Sequence, residues 1–372
     1  MITQLSSWVK TTVYTLTALL LSACGSESDI DQRPSEVDLG VKTSIEHVTL
    51  PAVAAFGQSA QALKTDITNM CASPVTDITL SNVQQQWQDT YRTWFSLLPF
   101  QFGPLVIQDQ SSDLLDYIDV YRSTESIVRS ETNTQFQTWI DAQSDIEADS
   151  LTNERPANVG LYALETALFT TLSNDLVSAD IVAEFNSTPK KCDVVKALAY
   201  ELSRRATEVV LQWTTDYRST GVPYATLFSD NLLESYFSAL DSDGTGKVSS
   251  EVLIVAVQEY LDFVGNAALF DDLTINSETL WLSIKDSIDM IESLLDQSAS
   301  TELSLFAIMA SNGYEQDVAT IRENLVLIRS AIDERSVIDT QTYLKALDGN
   351  FKTSVIDGLN INKGLTFADG DS

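Results

Sequence analysis

The sequence predicts an all-α fold, on three observations. Apolar residues recur at helical spacing from about Val41 onward, no stretch alternates with period two for long, and Gly and Pro cluster at turns between the periodic runs. A break at Gly221-Val222-Pro223 divides the body into two helical halves, 41–221 and 222–372.

What precedes the helices is a targeting segment. Lys10 is the only charge before Glu27, and Val13 to Ala23 is apolar but too short for a permanent span. The run closes on Leu21-Ser22-Ala23-Cys24, which resembles a bacterial lipobox. We therefore expect a signal peptide over 1–23 and Cys24 as a lipidated N-terminus. Residues 24–40, polar and acidic, form the expected tether. Gly25 is not the Asp that commonly marks inner-membrane retention, so the expected place is the periplasmic side of the outer membrane. No later stretch approaches 18 apolar residues.

Composition narrows the partners. Of 372 residues, 44 % are hydrophobic, which places the chain among folded proteins. Its 22 Lys and Arg stand against 53 Asp and Glu, a net charge of −31. That balance argues against nucleic acid and against anionic lipid headgroups, and favours a solvated acidic surface. Without Cys24, only Cys71 and Cys192 remain, and two Cys in an oxidising compartment suggest one disulfide.

Taken in order, periodicity starts near Val41, is reset at Pro51 and runs to Met70, where Cys71-Ala72-Ser73-Pro74 stops it. Ser81 is the expected cap of the next helix, with Val83, Trp87, Tyr91, Trp94, Phe95 and Leu98 on one side and Pro99 at its end. Residues 105–150 alternate short amphipathic pieces with polar turns. Asp113, Asp116 and Asp119 would share one helical face there, as solvated groups or as part of a cation site.

From Pro156, a good first helical residue, a helix is expected to Phe169. Leu161, Leu164 and Leu168 form its apolar stripe. Glu165 lies about 40° from Leu161 and Tyr162 roughly 60° further round. The other face is small, so the helix can be packed on every side. A carboxylate there needs a partner or a job. Helices then follow over about 190–218, 223–240, 249–270, 276–297, 302–310, 314–335 and 340–358.

Three motifs carry a resemblance. Gly160-Leu161-Tyr162-Ala163-Leu164-Glu165 is similar to the G-x-H-x-x-E helix of the imelysin-like family of iron-regulated lipoproteins, also classed with metallopeptidases. Gly160 and Glu165 match, and Tyr162 stands where that motif has its His. The pattern of Trp87, Arg92 and Trp94, closing on Phe100, Phe102, Gly103 and Pro104, resembles the family's W-x-x-x-x-R-x-W and F-x-F-G-P. Leu98 and Gln101 depart from the acid and the base common there. The tail from Gly364 to Asp371 resembles G-F-x-x-x-D-G-D, with Leu365 for the Phe. The resemblance implies two packed four-helix-type bundles with a cleft between them, cysteines near positions 71 and 192, and a role in iron acquisition as a binding or accessory protein beside other envelope iron-uptake proteins. The family also brings a rival reading, an envelope metallopeptidase. A structural interaction module is the third.

The residues weigh against a peptidase. There is no H-E-x-x-H, and His47 is the single His. Tyr162 and Glu165 could give two hard oxygen ligands to iron or another cation, with Asp residues nearby. The alternative is a buried ion pair of Glu165 with Arg92. A second cation candidate is the loop holding Asp241, Asp243 and Thr245, which resembles an EF-hand loop. Val252 stands at its twelfth position in place of the bidentate Glu, so calcium binding there is expected to be weak.

Overall fold

The structure, a computed structural model, describes residues 35–106, 108–109, 112–120, 129–142, 145–232, 248–266, 276–296 and 304–361. The expected signal peptide, Cys24, the candidate calcium loop with Asp241, Asp243 and Thr245, and the Asp371 tail lie outside these residues. The described chain is all-α. Its extended pairing is one ladder of Gln108–Asp109 against Ser112–Asp113.

From Glu36 onward the helices form one compact unit. Helix α1, Glu36–Ser44, begins inside the stretch expected to be tether, because Val37, Gly40 and Val41 have a core to pack against. A π turn over Ile45–Thr49 joins it to α2, Leu50–Met70. Pro51 explains the turn: it has no N–H for the preceding turn, and its ring crowds the carbonyl four residues back. α3, Asp77–Leu97, starts earlier than expected. Thr76 caps it, accepting from Thr79 N while the Thr79 hydroxyl serves Thr76 N, so Ser81 lies inside the helix.

Short helices α4, Leu114–Ile118, and α5, Arg129–Asp141, precede α6, Gly160–Phe169, and α7, Ser178–Ser187. α8, Pro189–Thr214, completes a first bundle in which α2 packs on α3 and α8, and α6 on α3 and α8. The Cys71–Cys192 disulfide ties the end of α2 to the start of α8, with Cα atoms 5.7 Å apart. After α9, Tyr224–Ser229, come α10, Ser249–Asn266, α11, Ser277–Leu295, and α12, Leu305–Ser311. α13, Glu315–Asp333, and α14, Val337–Asn350, follow. A π turn and the short α15, Ile356–Gly358, end the described chain. α10, α11, α13 and α14 make the second bundle. The two bundles share a wall, where α3 lies against α11 and the turn Leu98–Phe100 against α10.

Candidate functional site

The site lies at this shared wall and is built from α3, α4, α6, α10 and the start of α11. α6 is buried along almost its whole length, from Gly160 to Leu168. Its entry is fixed by Gly160, whose φ of +76° is open to glycine. A Cβ there would stand 2.4 Å from the Tyr117 carbonyl oxygen and 2.6 Å from that of Ile118. Val159 is extended, so Pro156–Asn158 forms a separate 3₁₀ turn and α6 starts only at Gly160. Trp87 on α3 donates its indole N–H to the Leu161 carbonyl at 3.0 Å, holding α6 to α3.

Glu165 is wholly buried, as its position on a helix packed all round requires. Its Oε1 accepts from the Asn276 backbone N–H at 3.3 Å and from the Asn276 side-chain amide at 3.1 Å. Asn276 is the residue that immediately precedes α11, and its side chain bonds Glu165 rather than capping the helix. Glu165, from the first bundle, therefore sits at the amino end of a helix of the second, where the helix dipole favours negative charge. Gln88 of α3 donates to the same Asn276 at 3.5 Å.

Arg92 is not the partner of Glu165. It forms a two-pronged pair with Asp286 of α11, at 2.7 and 3.0 Å, and its side chain is 39 % exposed. The reason is rotation along α3. Trp87, Tyr91 and Trp94 occupy the buried stripe, and Arg92 is turned about 100° from Tyr91.

Asp119 is likewise not on a solvated face. It follows the end of α4, is wholly buried, and accepts the Trp94 indole N–H at 2.7 Å. Thus Trp94 belongs to the same region as Glu165 through Tyr91, which lies one turn before it on α3. Tyr91 is buried and its phenol is raised well above 10.0, first by burial and then by the charges of Asp119 and Glu165 and by Tyr260 of α10. The result is two buried carboxylates acting on a phenol that keeps its proton. Tyr162 is buried on the same helix as Glu165. Behind α4, the buried pair of Arg205 and Glu201 at 2.6 Å places the guanidinium 3.8 Å from the Tyr117 ring centroid.

Gly103 and Pro104 serve another purpose. The Gly103 φ is +56°, and a Cβ there would enter the Tyr224 ring at 2.2 Å. Phe102 stacks on Phe228 at 4.8 Å and meets Trp213 edge-on at 5.6 Å. This motif is an aromatic staple between the end of α3 and α8–α9. His47 is exposed in the π turn, on the rim of a groove of about 310 Å³ with Pro51, Thr93, Ser96 and Met290.

Sequence reasoning missed Asn276, Tyr260 and the burial of Asp119. The signals were faint: an Asn before Ser277-Glu278 marks a helix start, and Asp119 stands between the apolar Ile118 and Val120.

A double helical bundle with an acidic, tyrosine-lined junction buried between its halves is the class of protein that fold and site define. The chain belongs to the Imelysin family, whose model (Peptidase_M75) matches residues 49–333. In fold it is similar to an imelysin-like protein from Psychrobacter arcticum 273-4, with a TM-score of 0.67 and 16 % identity over 89 % of this chain and 97 % of that one. It is also similar to a candidate iron-regulated protein A precursor from Parabacteroides distasonis ATCC 8503, with a TM-score of 0.59 and 14 % identity over the same shares. No curated protein matches. No helix among the described residues is long and apolar enough to cross a membrane.

Proposed function

We propose that this protein is a lipid-anchored, periplasm-facing envelope protein that serves iron acquisition as a binding or accessory component. The observation that carries the reading is the burial of two carboxylates at this wall, Asp119 held by the Trp94 indole and Glu165 by Asn276 at the amino end of α11. Family membership and the solved relative named for iron regulation supply the context. The donors on hand are oxygens, the set that suits a ferric ion or a hard divalent cation better than zinc. Fit is partial. Among the described residues no three His, Cys, Asp or Glu gather around one point, and one oxygen of Glu165 is already engaged by Asn276. Glu165 and Tyr162, which share α6, would hold the cation, with solvent completing the shell. The bound cation would be cargo or a structural bridge between the bundles.

A peptidase reading has less support. A general base needs an activated water, and the sole His stands in the groove of the π turn, with other neighbours than Glu165.

The test is elemental analysis of protein purified from its own envelope, joined to thermal melting with ferric citrate and with a chelator. Iron at about one equivalent, with a melting temperature that falls on chelation in wild type but not in Glu165→Gln, is the expected result. A melting temperature that ferric citrate and the chelator leave unchanged within each protein, with no metal retained, refutes the binding reading. Chelator-sensitive cleavage of casein that disappears in Glu165→Gln would establish the peptidase instead.

A further inference from the structure

The end of the first bundle away from α1 carries a surface that the site described above does not use. Two loops lie side by side there. One runs from Cys71 into α3, the other from Thr170 into α7. Ser178 Oγ donates to Asp77 Oδ1 at 3.1 Å, which brings Ile78 and Val177, each next in the chain to a bonded residue, to one edge. Ile78 is 73 % exposed, Leu176 62 % and Val177 58 %. Single exposed apolar residues need no explanation, but three gathered at one edge do.

Both loops are held in place. The first is fixed by the Cys71–Cys192 disulfide and by Asn186, which accepts from Val75 N and donates to Val75 O, each at 2.9 Å. The second is closed by Thr171 N donating to Asp175 O at 2.9 Å, and Asn133 donates to both Thr171 O and Asn174 Oδ1. Leu172 N is held by the Glu184 carboxylate at 2.9 Å, which Lys191 in turn pairs. The apolar side chains are therefore presented on fixed backbone, and little ordering entropy remains for a partner to supply.

Charge selects the partner. Asp77, Asp175 and Asp180 are exposed around the apolar residues. No Lys or Arg occurs between Lys64 and Arg92, or between Arg155 and Lys190. A second copy would bring the same acidic rim on a chain of net charge −31, and anionic headgroups would meet the same repulsion. We propose that the edge formed by Ile78, Leu176 and Val177 docks a segment of another envelope protein in which apolar side chains are flanked by Lys or Arg.

The experiment places a benzophenone side chain at Val177 of the full chain in cells, with the same label at Ile338, an exposed residue of α14, as control. After irradiation the adduct is mapped by mass spectrometry. We expect one adduct at Val177, absent at Ile338, whose contacted peptide carries net positive charge. Asp175→Lys with Asp180→Lys, which leave Asp77 and its bond from Ser178 in place, should lower its yield about tenfold or more while the melting temperature is kept. Adducts with a second copy, with phospholipid, or with a peptide of no net positive charge overturn the proposal. So does a yield at Val177 no higher than at Ile338, or one unmoved by the two lysines. If the lysine pair lowers the melting temperature, 0.5 M salt on the wild type takes its place, with the same tenfold loss expected and an unchanged yield overturning the proposal.

Discussion

A methyl group on Gly160 has nowhere to go. Its Cβ would stand 2.4 Å from one backbone oxygen and 2.6 Å from another, and backbone cannot rotate out of the way as a side chain can. Gly160→Ala should cost about 3 kcal/mol, from overpacking and the left-handed backbone together. Urea unfolding measures it, and a loss below about 1 kcal/mol would show that α4 gives way. Tyr91 gives a prediction with a sign. Its folded pKa is raised above the ordinary 10.0, so the folded state keeps a proton that the unfolded state releases. The stability tied to that proton is complete below about pH 10 and is lost as pH climbs from there through the folded value. Tyr91→Phe should therefore flatten the decline of stability above pH 10, by up to about 1.4 kcal/mol per pH unit. Parallel curves for the two proteins from pH 9 to 11 would mean that Tyr91 ionises as freely as in the unfolded chain.

Among the elements, α6 depends on its neighbours. Trp87 holds its first turn to α3, and Glu165 joins its middle to Asn276 at the start of α11. A ten-residue helix is marginal alone, so these contacts and its buried faces maintain it. The disulfide constrains α2 and α8 across a sequence separation of 121. Cys71→Ser with Cys192→Ser should lower stability by about 4–5 kcal/mol on the chain-entropy account. Denaturant titration of the two proteins checks it, and a loss under about 1 kcal/mol would show that the reduced chain is already compact.

Across the whole molecule the dominant quantity is net charge. With −31 on 372 residues, carboxylates repel one another over distances comparable to the screening length. The close pairs oppose this. Along α11 and α13, Lys285 meets Asp333 at 2.6 Å and Arg329 meets Asp289 at 2.6 Å. Contacts this short are screened little, whereas the diffuse repulsion is screened strongly. Raising NaCl from about 0.02 to 0.3 M should therefore raise the melting temperature, a range over which the Debye length falls from tens of ångströms to a few. A fall would show that the ion pairs outweigh the repulsion.

The helical class, the helices from α10 to α14 and the family were legible because each rests on local spacing: apolar periodicity, Gly and Pro at turns, and a G-x-x-x-x-E run. The disulfide was legible by counting. Local pattern also misled in places. Ser81 looked like a cap, but Thr76 with Thr79 makes the better reciprocal pair one turn earlier. The spacing of Asp113, Asp116 and Asp119 suggested an exposed face, yet Asp119 lies beyond the helix and is buried against Trp94. That Glu165 would be buried followed from its own helix. Its partner did not, because Asn276 is 111 residues away and is brought there by the packing of the second bundle on the first. Periodicity states which side of a helix is buried, since that is set by 100° per residue. It is silent on what fills the other half of the contact, since that is set by how helices cross in space.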